Sequence, residues 1–448
     1  MAPRFGTDGV RGVANIELTT DVALALGRAA ARVLGADRFV VGRDTRRSGP
    51  MLEAALVAGL CAEGATVELL GVVPTPAVAW TAAAQSAAGA MISASHNPFA
   101  DNGIKLFAAG GVKLADAVEA DIEAVYTGLL VGDANAAVEL PHGAAVGTVI
   151  GGGDSSVDGW VQSVCGSIDG RTLSELTVVL DCAHGAATGH ATRVFKHLGA
   201  TVHVIGDEPD GVNINDGVGS TSPSSLQRAV IEHRAELGLA FDGDADRLIA
   251  VDNGGTVVDG DRVLALLATD RAARGHLAGN TVVVTVMSNL GFHQAMAAAG
   301  IEVLSTAVGD RYVLQALDEN GFVLGGEQSG HVICRDLAST GDGVLTGVQL
   351  ADVVARAQRP LADLAAESMT TVPQVLMNVR LPQRDATLAD RLRPEVVEVE
   401  EQMGNDGRVL VRASGTEPLL RIMVEHLDAD EAERACSRLV AAAERLIA

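Results

Sequence analysis

The stretch FVVGRDTRRSGP (residues 39–50), followed by an Ala/Leu-rich run from Met51, decides the fold class. Its β-branched start reads as a buried strand, its polar Gly/Pro segment as a turn, and the run beyond as a helix. The same order recurs twice. A run at 178–181 leads through CAHGAATG (182–189) to a helix near Ala191, and a run at 282–286 leads through MSNLG (287–291) to a helix near His293. Three such units predict an α/β protein with three related mixed α/β domains in series. From Val375 the pattern changes to strand VLMNVR (375–380), a helix over 393–403, the turn GNDG (404–407), strands RVLVRAS (408–414) and LLRIMVEH (419–426), and a closing helix. That is a smaller C-terminal α+β domain. Linker compositions at VIGGGDSS (149–156), NGGT (253–256) and TTVPQ (370–374) place the domains at 1–152, 153–254, 255–370 and 371–448.

Composition narrows the function. Hydrophobic residues make up 48% of the 448 but aromatics only 3%, so the cores are built from Ala, Val and Leu. A net charge of −24 excludes a general nucleic-acid or anionic-membrane binder. An anionic substrate then needs a local basic cleft, and arginine must supply most of it, because the lysines are Lys105, Lys113 and Lys196 alone. Five scattered cysteines without a CxxC read as reduced thiols of a cytoplasmic protein. The opening MAPRFGTDGVRG has no apolar core of a signal peptide, and no run reaches membrane-spanning length.

Five segments carry candidate chemistry. SASHNP (93–98) follows the apolar run AGAMI, so Ser95 sits on a loop at a strand's carboxyl end, where α/β sheets place their reactions. A Ser-His hydrolase is disfavoured, since no GxSxG elbow occurs. DGDADR (242–247) follows another strand, and Asp242, Asp244 and Asp246, spaced two apart on an extended loop, can converge on a hard cation such as Mg²⁺. Three clustered carboxylates repel without one. An EF-hand is excluded, because Arg247 and Asn253 stand where that loop needs Gly and Glu. GGEQSGH (325–331) presents Glu327 and Ser329 between glycines, which suits sugar hydroxyls, and offers His331 as a candidate base. RASGTEP (412–418), with Arg421 beyond, reads as a phosphate cradle from Arg412, Ser414, Gly415 and Thr416, or as an ordinary turn between strands. FGTDGVRG (5–12) adds Thr7 and Arg11 on an irregular segment.

In this order the five segments resemble the α-D-phosphohexomutase superfamily: SASHNP its phosphoserine loop, DGDADR its metal loop, GGEQSGH its sugar loop and RASGTEP its phosphate loop. FGTDGVRG, ISASHNPFADNGIK, GVNIN, VGDRYV and GEQSGH are most similar to its bacterial branch acting on phosphoglucosamine. One departure is Ala245, where glycine is usual. The resemblance implies four domains in a heart-shaped arrangement around a central cleft, each giving one loop. It implies a phosphorylated Ser95, with Mg²⁺ held by Asp242, Asp244, Asp246 and a phosphoserine oxygen. Arg247, Gly309, Asp310, Glu327 and Ser329 would bind the sugar phosphate with the fourth loop. Lys105 and Arg11 would sit near the moving charge, as rivals of His331 for the proton. The implied reaction interconverts glucosamine 6-phosphate and glucosamine 1-phosphate through a 1,6-bisphosphate, supplying precursor for UDP-N-acetylglucosamine and cell-wall synthesis. Glucose or glucosamine 1,6-bisphosphate would act as activator. The implied partner is a small phosphosugar, without nucleic acid or membrane; a homodimer is compatible. Phosphomannomutase or phosphoglucomutase activity, a non-catalytic phosphosugar binder and a phosphatase are the alternatives.

Overall fold

The computed structural model describes residues 3–6, 8–133, 139–151, 157–383, 385, 387–413 and 418–447. The chain divides into two compact units, residues 1–287 with 301–368, and residues 288–300 with 369–448.

The first unit holds three sheets that share one plan. In the first, the strand Arg38–Arg43 runs parallel to Thr66–Val72 on one side and Ala88–Ile92 on the other. A fourth strand, Asp101–Ala108, then returns antiparallel to Ala88–Ile92. The second sheet repeats this with Thr177–Asp181 between parallel Thr201–Ile205 and Leu237–Phe241, and Leu248–Asp252 antiparallel. The third repeats it with Thr281–Thr285 between parallel Glu302–Thr306 and Leu324–Gly326, and Val332–Cys334 antiparallel. The first sheet is extended by Phe5–Gly6, Gly9–Val13 and Val112–Lys113 on one side and Val149–Gly151 on the other.

The strands Ala88–Ile92 and Leu237–Phe241 are buried along their whole length, as continuous apolar runs with covered faces should be. The core of the first sheet is built from Ala, Val, Leu and Ile, with the helices Thr20–Leu34 and Gly49–Ala62 packed on it. Burial of each such side chain is worth about 1.5–3 kcal/mol.

The shared plan has a consequence for function. SASHNP joins the third and fourth strands of its sheet, DGDADR joins the third and fourth of the next, and EQSGH those of the last. The three segments singled out in the sequence therefore occupy one equivalent position in three repeats, at the carboxyl end of the third strand.

The second unit carries an antiparallel sheet in the order Gln374–Arg380, Leu419–His426, Gly407–Ala413, covered by the helices Leu388–Met403 and Ala429–Ile447. The first of these helices starts before residue 393. Pro394 lies in its second turn. A second difference concerns the helix Leu290–Ala298, which the βα pattern assigns to the third domain. It groups with the C-terminal unit because buried Glu425 accepts from Leu290 N at 2.9 Å and from Asn289 Nδ2 at 3.0 Å, while Asn289 Nδ2 also donates to the Val372 carbonyl.

Candidate active site

Ser95 is 1% exposed and lies in the left-handed region at φ +52°, a conformation that costs a non-glycine residue about 1–2 kcal/mol. Its surroundings hold it there. Ser95 N donates to Ser93 Oγ at 2.9 Å, and Ser93 Oγ donates to Asp44 Oδ2 at 2.7 Å. Fully buried Arg46 donates to that same carboxylate oxygen and to the carbonyls of Ser95, Asn97, Pro98 and Asp101. Asn215, from GVNIN, adds Nδ2 to the carbonyls of Ser95 and Asn97 at 2.9 and 3.1 Å. Ser95 Oγ donates to Asp242 Oδ2 at 2.5 Å and lies 3.3 Å from His96 Nδ1. Burial, helped by Arg247 and Arg11, lowers the His96 pKa to about 4, so this imidazole is neutral near pH 7.

The metal loop is a turn rather than the extended loop predicted, with Ala245 at φ +57° reversing the chain. One carboxylate oxygen from each of Asp242, Asp244 and Asp246 lies within 4.8 Å of the other two. Lys105 Nζ takes Asp244 Oδ2 at 2.8 Å and Asp246 Oδ2 at 3.2 Å, and Thr75 Oγ1 donates to Asp244 Oδ2 at 2.7 Å. Asp244 Oδ1 and Asp246 Oδ1 are buried without a hydrogen-bond partner. Burial, then the charges of Asp246 and Asp244, push the Asp242 carboxyl well above its ordinary range. Orphaned oxygens and mutual repulsion are what a hard divalent cation relieves, so the donor set fits Mg²⁺.

Around this cluster runs a closed ring of alternating charge. Lys113 bridges Asp8 Oδ1, at 3.2 Å, and Asp310 Oδ2. Asp310 Oδ2 lies 3.4 Å from His331 Nε2, and His331 Nδ1 lies 3.7 Å from Asp246 Oδ1. Lys105 closes the ring between Asp246 and Asp8. Burial pulls the His331 pKa down, but Asp246 and Asp310 outweigh it and hold it above the ordinary value. Burial likewise opposes the charge on Lys105, and Asp244, Asp246 and Asp8 hold its pKa well above the usual one.

Most of the expected residues come together in this first unit. Asp310 pairs with Lys113 and lies 3.4 Å from His331 Nε2, and Arg11 is paired with Asp8. Arg247 Nε is 3.9 Å from Asp246 Oδ1, and the side chain is 24% exposed. Glu327 Oε1 accepts from Gly309 N at 3.1 Å, and exposed Ser329 donates to Glu327 Oε2 at 3.3 Å. The expected basic cleft is balanced rather than positive: Arg11, Arg46, Lys105, Lys113, Arg247 and His331 face Asp8, Asp44, Asp242, Asp244, Asp246 and Asp310. A divalent cation held by the three aspartates would turn this balance toward an anionic substrate.

Sequence reasoning passed over Asp8, Asp44, Arg46, Thr75 and Lys113. Two signals were available: Asp44 and Arg46 follow a strand end, as the other site loops do, and Lys113 is one of three lysines.

In the second unit, Arg412 and Arg421 stand directly opposite on neighbouring strands. Burial, then the charge of Arg421, lowers the Arg412 pKa. Like charges placed directly opposite across a sheet are unfavourable by themselves. Ser414, Gly415 and Thr416 lie outside the described residues.

Family models described as phosphoglucomutase/phosphomannomutase alpha/beta/alpha domains I, II and III match residues 2–129, 158–255 and 259–372, and the C-terminal domain model matches 376–442. The phosphoglucosamine mutase of Rhodococcus jostii is 52% identical over 447 residues, 98% of each chain. That of Moorella thermoacetica is 52% identical over 439 residues, 97% of each chain. Among solved structures, a phosphoglucomutase/phosphomannomutase family protein from Burkholderia thailandensis gives a TM-score of 0.83 at 28% identity, covering 99% of this chain and 98% of that one. The N-acetylphosphoglucosamine mutase of Aspergillus fumigatus, solved with GlcNAc-6P and magnesium, shares the fold at a TM-score of 0.71 and 17% identity, with coverage of 100% and 96%.

Proposed function

The chain belongs to the phosphoglucomutase/phosphomannomutase family, and from that premise we propose how its residues interconvert glucosamine 6-phosphate and glucosamine 1-phosphate. It is an isomerase acting by phosphoryl transfer. The observation that carries the residue assignment is Ser95: a buried hydroxyl in a strained, fully braced loop, 2.5 Å from Asp242 in the three-aspartate cluster.

Ser95 carries the phosphoryl group. The sugar O1 attacks phosphorus, the bond to Ser95 Oγ breaks, and a 1,6-bisphosphate forms. The bisphosphate turns over, Ser95 Oγ attacks the 6-phosphoryl group, and glucosamine 1-phosphate leaves. Asp242, Asp244 and Asp246 would hold Mg²⁺ with a phosphoserine oxygen; bound there, the ion neutralises charge on the transferring group. Arg247 steadies phosphate oxygens, and Glu327 and Ser329 take sugar hydroxyls. Arg412 and Arg421, with Ser414, Gly415 and Thr416, hold the phosphate that is not reacting.

Of the three proton-handling candidates, Arg11 does not deprotonate, and Lys105 is paired with Asp8, Asp244 and Asp246. We take His331 as the proton-handling group; its Nδ1 lies 3.7 Å from Asp246 Oδ1 and its Nε2 3.4 Å from Asp310 Oδ2. Free glucose or glucosamine 1,6-bisphosphate would restore phosphate to an emptied Ser95. The four loops come one each from domains assigned to 1–152, 153–254, 255–370 and 371–448. A cytoplasmic reaction is part of the proposal. No helix among the described residues is long and apolar enough to cross a membrane.

The substrate assignment is tested by kcat/KM on glucosamine, glucose and mannose 6-phosphates. We expect the amino sugar to lead by at least about tenfold, or roughly 1.4 kcal/mol of discrimination. Equal values, or a lead for mannose, would replace it with a phosphomannomutase or phosphoglucomutase reading.

Arg412→Ala is expected to raise KM about 10- to 150-fold with a smaller change in kcat, because a charge-assisted contact is worth about 1.5–3 kcal/mol in ground and transition states alike. Steady-state kinetics with glucosamine 6-phosphate checks this, and an unchanged KM moves the phosphate site elsewhere.

A further inference from the structure

Three buried residues, Gly341, Asp342 and Gly343, follow the third repeat's last strand and enter the helix Gly343–Ala357. None of them has a part in the chemistry described so far. Gly341 lies against the imidazole of His331. A Cβ built on it would fall inside contact distance of Cε1 and Nε2, with Cδ2 at 2.8 Å. Gly343 lies against the metal loop instead. Its N–H donates to the Ala245 carbonyl at 3.0 Å, and an added Cβ would press on the backbone of Arg247, with the carbonyl carbon at 2.8 Å.

Asp342, between them, is anchored in two directions. Oδ1 accepts from Leu345 N at 2.9 Å, which caps the helix, and Oδ2 accepts from Trp160 Nε1 at 2.9 Å. Trp160 belongs to the second domain and is 1% exposed, so it is a fixed post. The segment thus touches His331 with one residue, the metal loop with the third, and is tied down by the residue between.

We infer that residues 341–343 form a positioning clamp that sets the His331 ring against the metal loop, and that position 341 must be glycine to leave the ring its place. The inference rests on the reading of His331 as the proton-handling group. Gly341 is outside the left-handed region, so alanine meets no backbone penalty there and its effect is steric, on the ring. The ring has carboxylates at both nitrogens and cannot yield without changing its distance to Asp246 or Asp310. A displacement of about 1 Å at a reacting group costs on the order of 100-fold in rate.

The test is a double-mutant cycle on the full chain with Mg²⁺ and glucosamine 6-phosphate. Gly341→Ala is expected to lower kcat roughly 30- to 100-fold, with KM within about twofold. Added to His331→Ala it should lower kcat by no further factor, since there is no ring left to displace. A purely structural role would lower kcat equally in both backgrounds, which overturns the clamp. So does full activity of Gly341→Ala beside a slow His331→Ala, and that result leaves the His331 reading intact. Wild-type kcat in His331→Ala overturns that reading, and the clamp with it. Should Gly341→Ala not fold, Trp160→Phe removes the N–H donated to Asp342, together with part of the buried ring. It is expected to lower kcat about 3- to 10-fold, again only when His331 is present. An unchanged kcat in Trp160→Phe, or an equal loss without His331, counts against the clamp.

Discussion

Ser95→Ala is expected to lower turnover by on the order of 10⁴-fold or more, the scale seen when a nucleophile is removed from a preorganised site. Ser93 Oγ does not replace it, being spent on Asp44 and on the N–H of Ser95. His96 Nδ1 lies 3.3 Å from Ser95 Oγ and could carry phosphate only as a phosphoramidate, a different species from the phosphoserine. The loop itself should survive the change. Arg46 and Asn215 brace it through carbonyls of Ser95 and Asn97, which alanine keeps. The hydrogen bond from Ser95 Oγ to buried Asp242 is lost, so stability measured by urea unfolding should fall by about 1–3 kcal/mol with the protein still folded. A large loss of activity in a stable protein assigns the loss to the hydroxyl. An active Ser95→Ala variant would mean direct transfer between sugars.

The second large effect concerns the metal. Chelation should stop turnover, and Asp244→Asn should lower both Mg²⁺ affinity and kcat, the latter by roughly 10²- to 10³-fold. Asp244 is the informative position because its two oxygens have separate duties. Oδ2 is held by Lys105 and Thr75, while Oδ1 is buried and unpartnered. Asparagine keeps the shape but removes the charge that both Lys105 and a cation use. Metal titration followed by activity checks this, and an unchanged affinity and rate would remove the aspartate cluster from metal binding.

Much of this was legible in the sequence, for a physical reason. Buried parallel strands are continuous apolar runs, so the strand ends stand out, and the polar motifs begin where those runs stop. Ser95, the three aspartates and Glu327–Ser329 could be placed on site loops on that basis. What stayed hidden depends on long-range pairing. Arg46 serves carbonyls about fifty positions away, and a backbone carbonyl leaves no trace in side-chain pattern. The ring from Lys113 through Asp310 and His331 to Lys105 draws on all three domains of the first unit, and no local spacing announces it. Spacing alone also suggested the wrong conformation for DGDADR. Aspartates two apart fit an extended loop, whereas Ala245 takes a left-handed conformation and the carboxylates converge through a turn. The helix expected over 393–403 begins at Leu388, six residues before Pro394.

The central claim, that Ser95 donates its phosphoryl group to the sugar and takes one back, has a direct measurement. Enzyme labelled with radioactive phosphate on Ser95 is mixed with unlabelled glucosamine 6-phosphate in a single turnover, quenched over milliseconds to seconds, and the label followed. The account predicts that label leaves Ser95, appears first in glucosamine 1,6-bisphosphate, and ends in glucosamine 1-phosphate, with unlabelled phosphate now on the serine. Label that stays on Ser95 while product forms, or that leaves as inorganic phosphate, would contradict it.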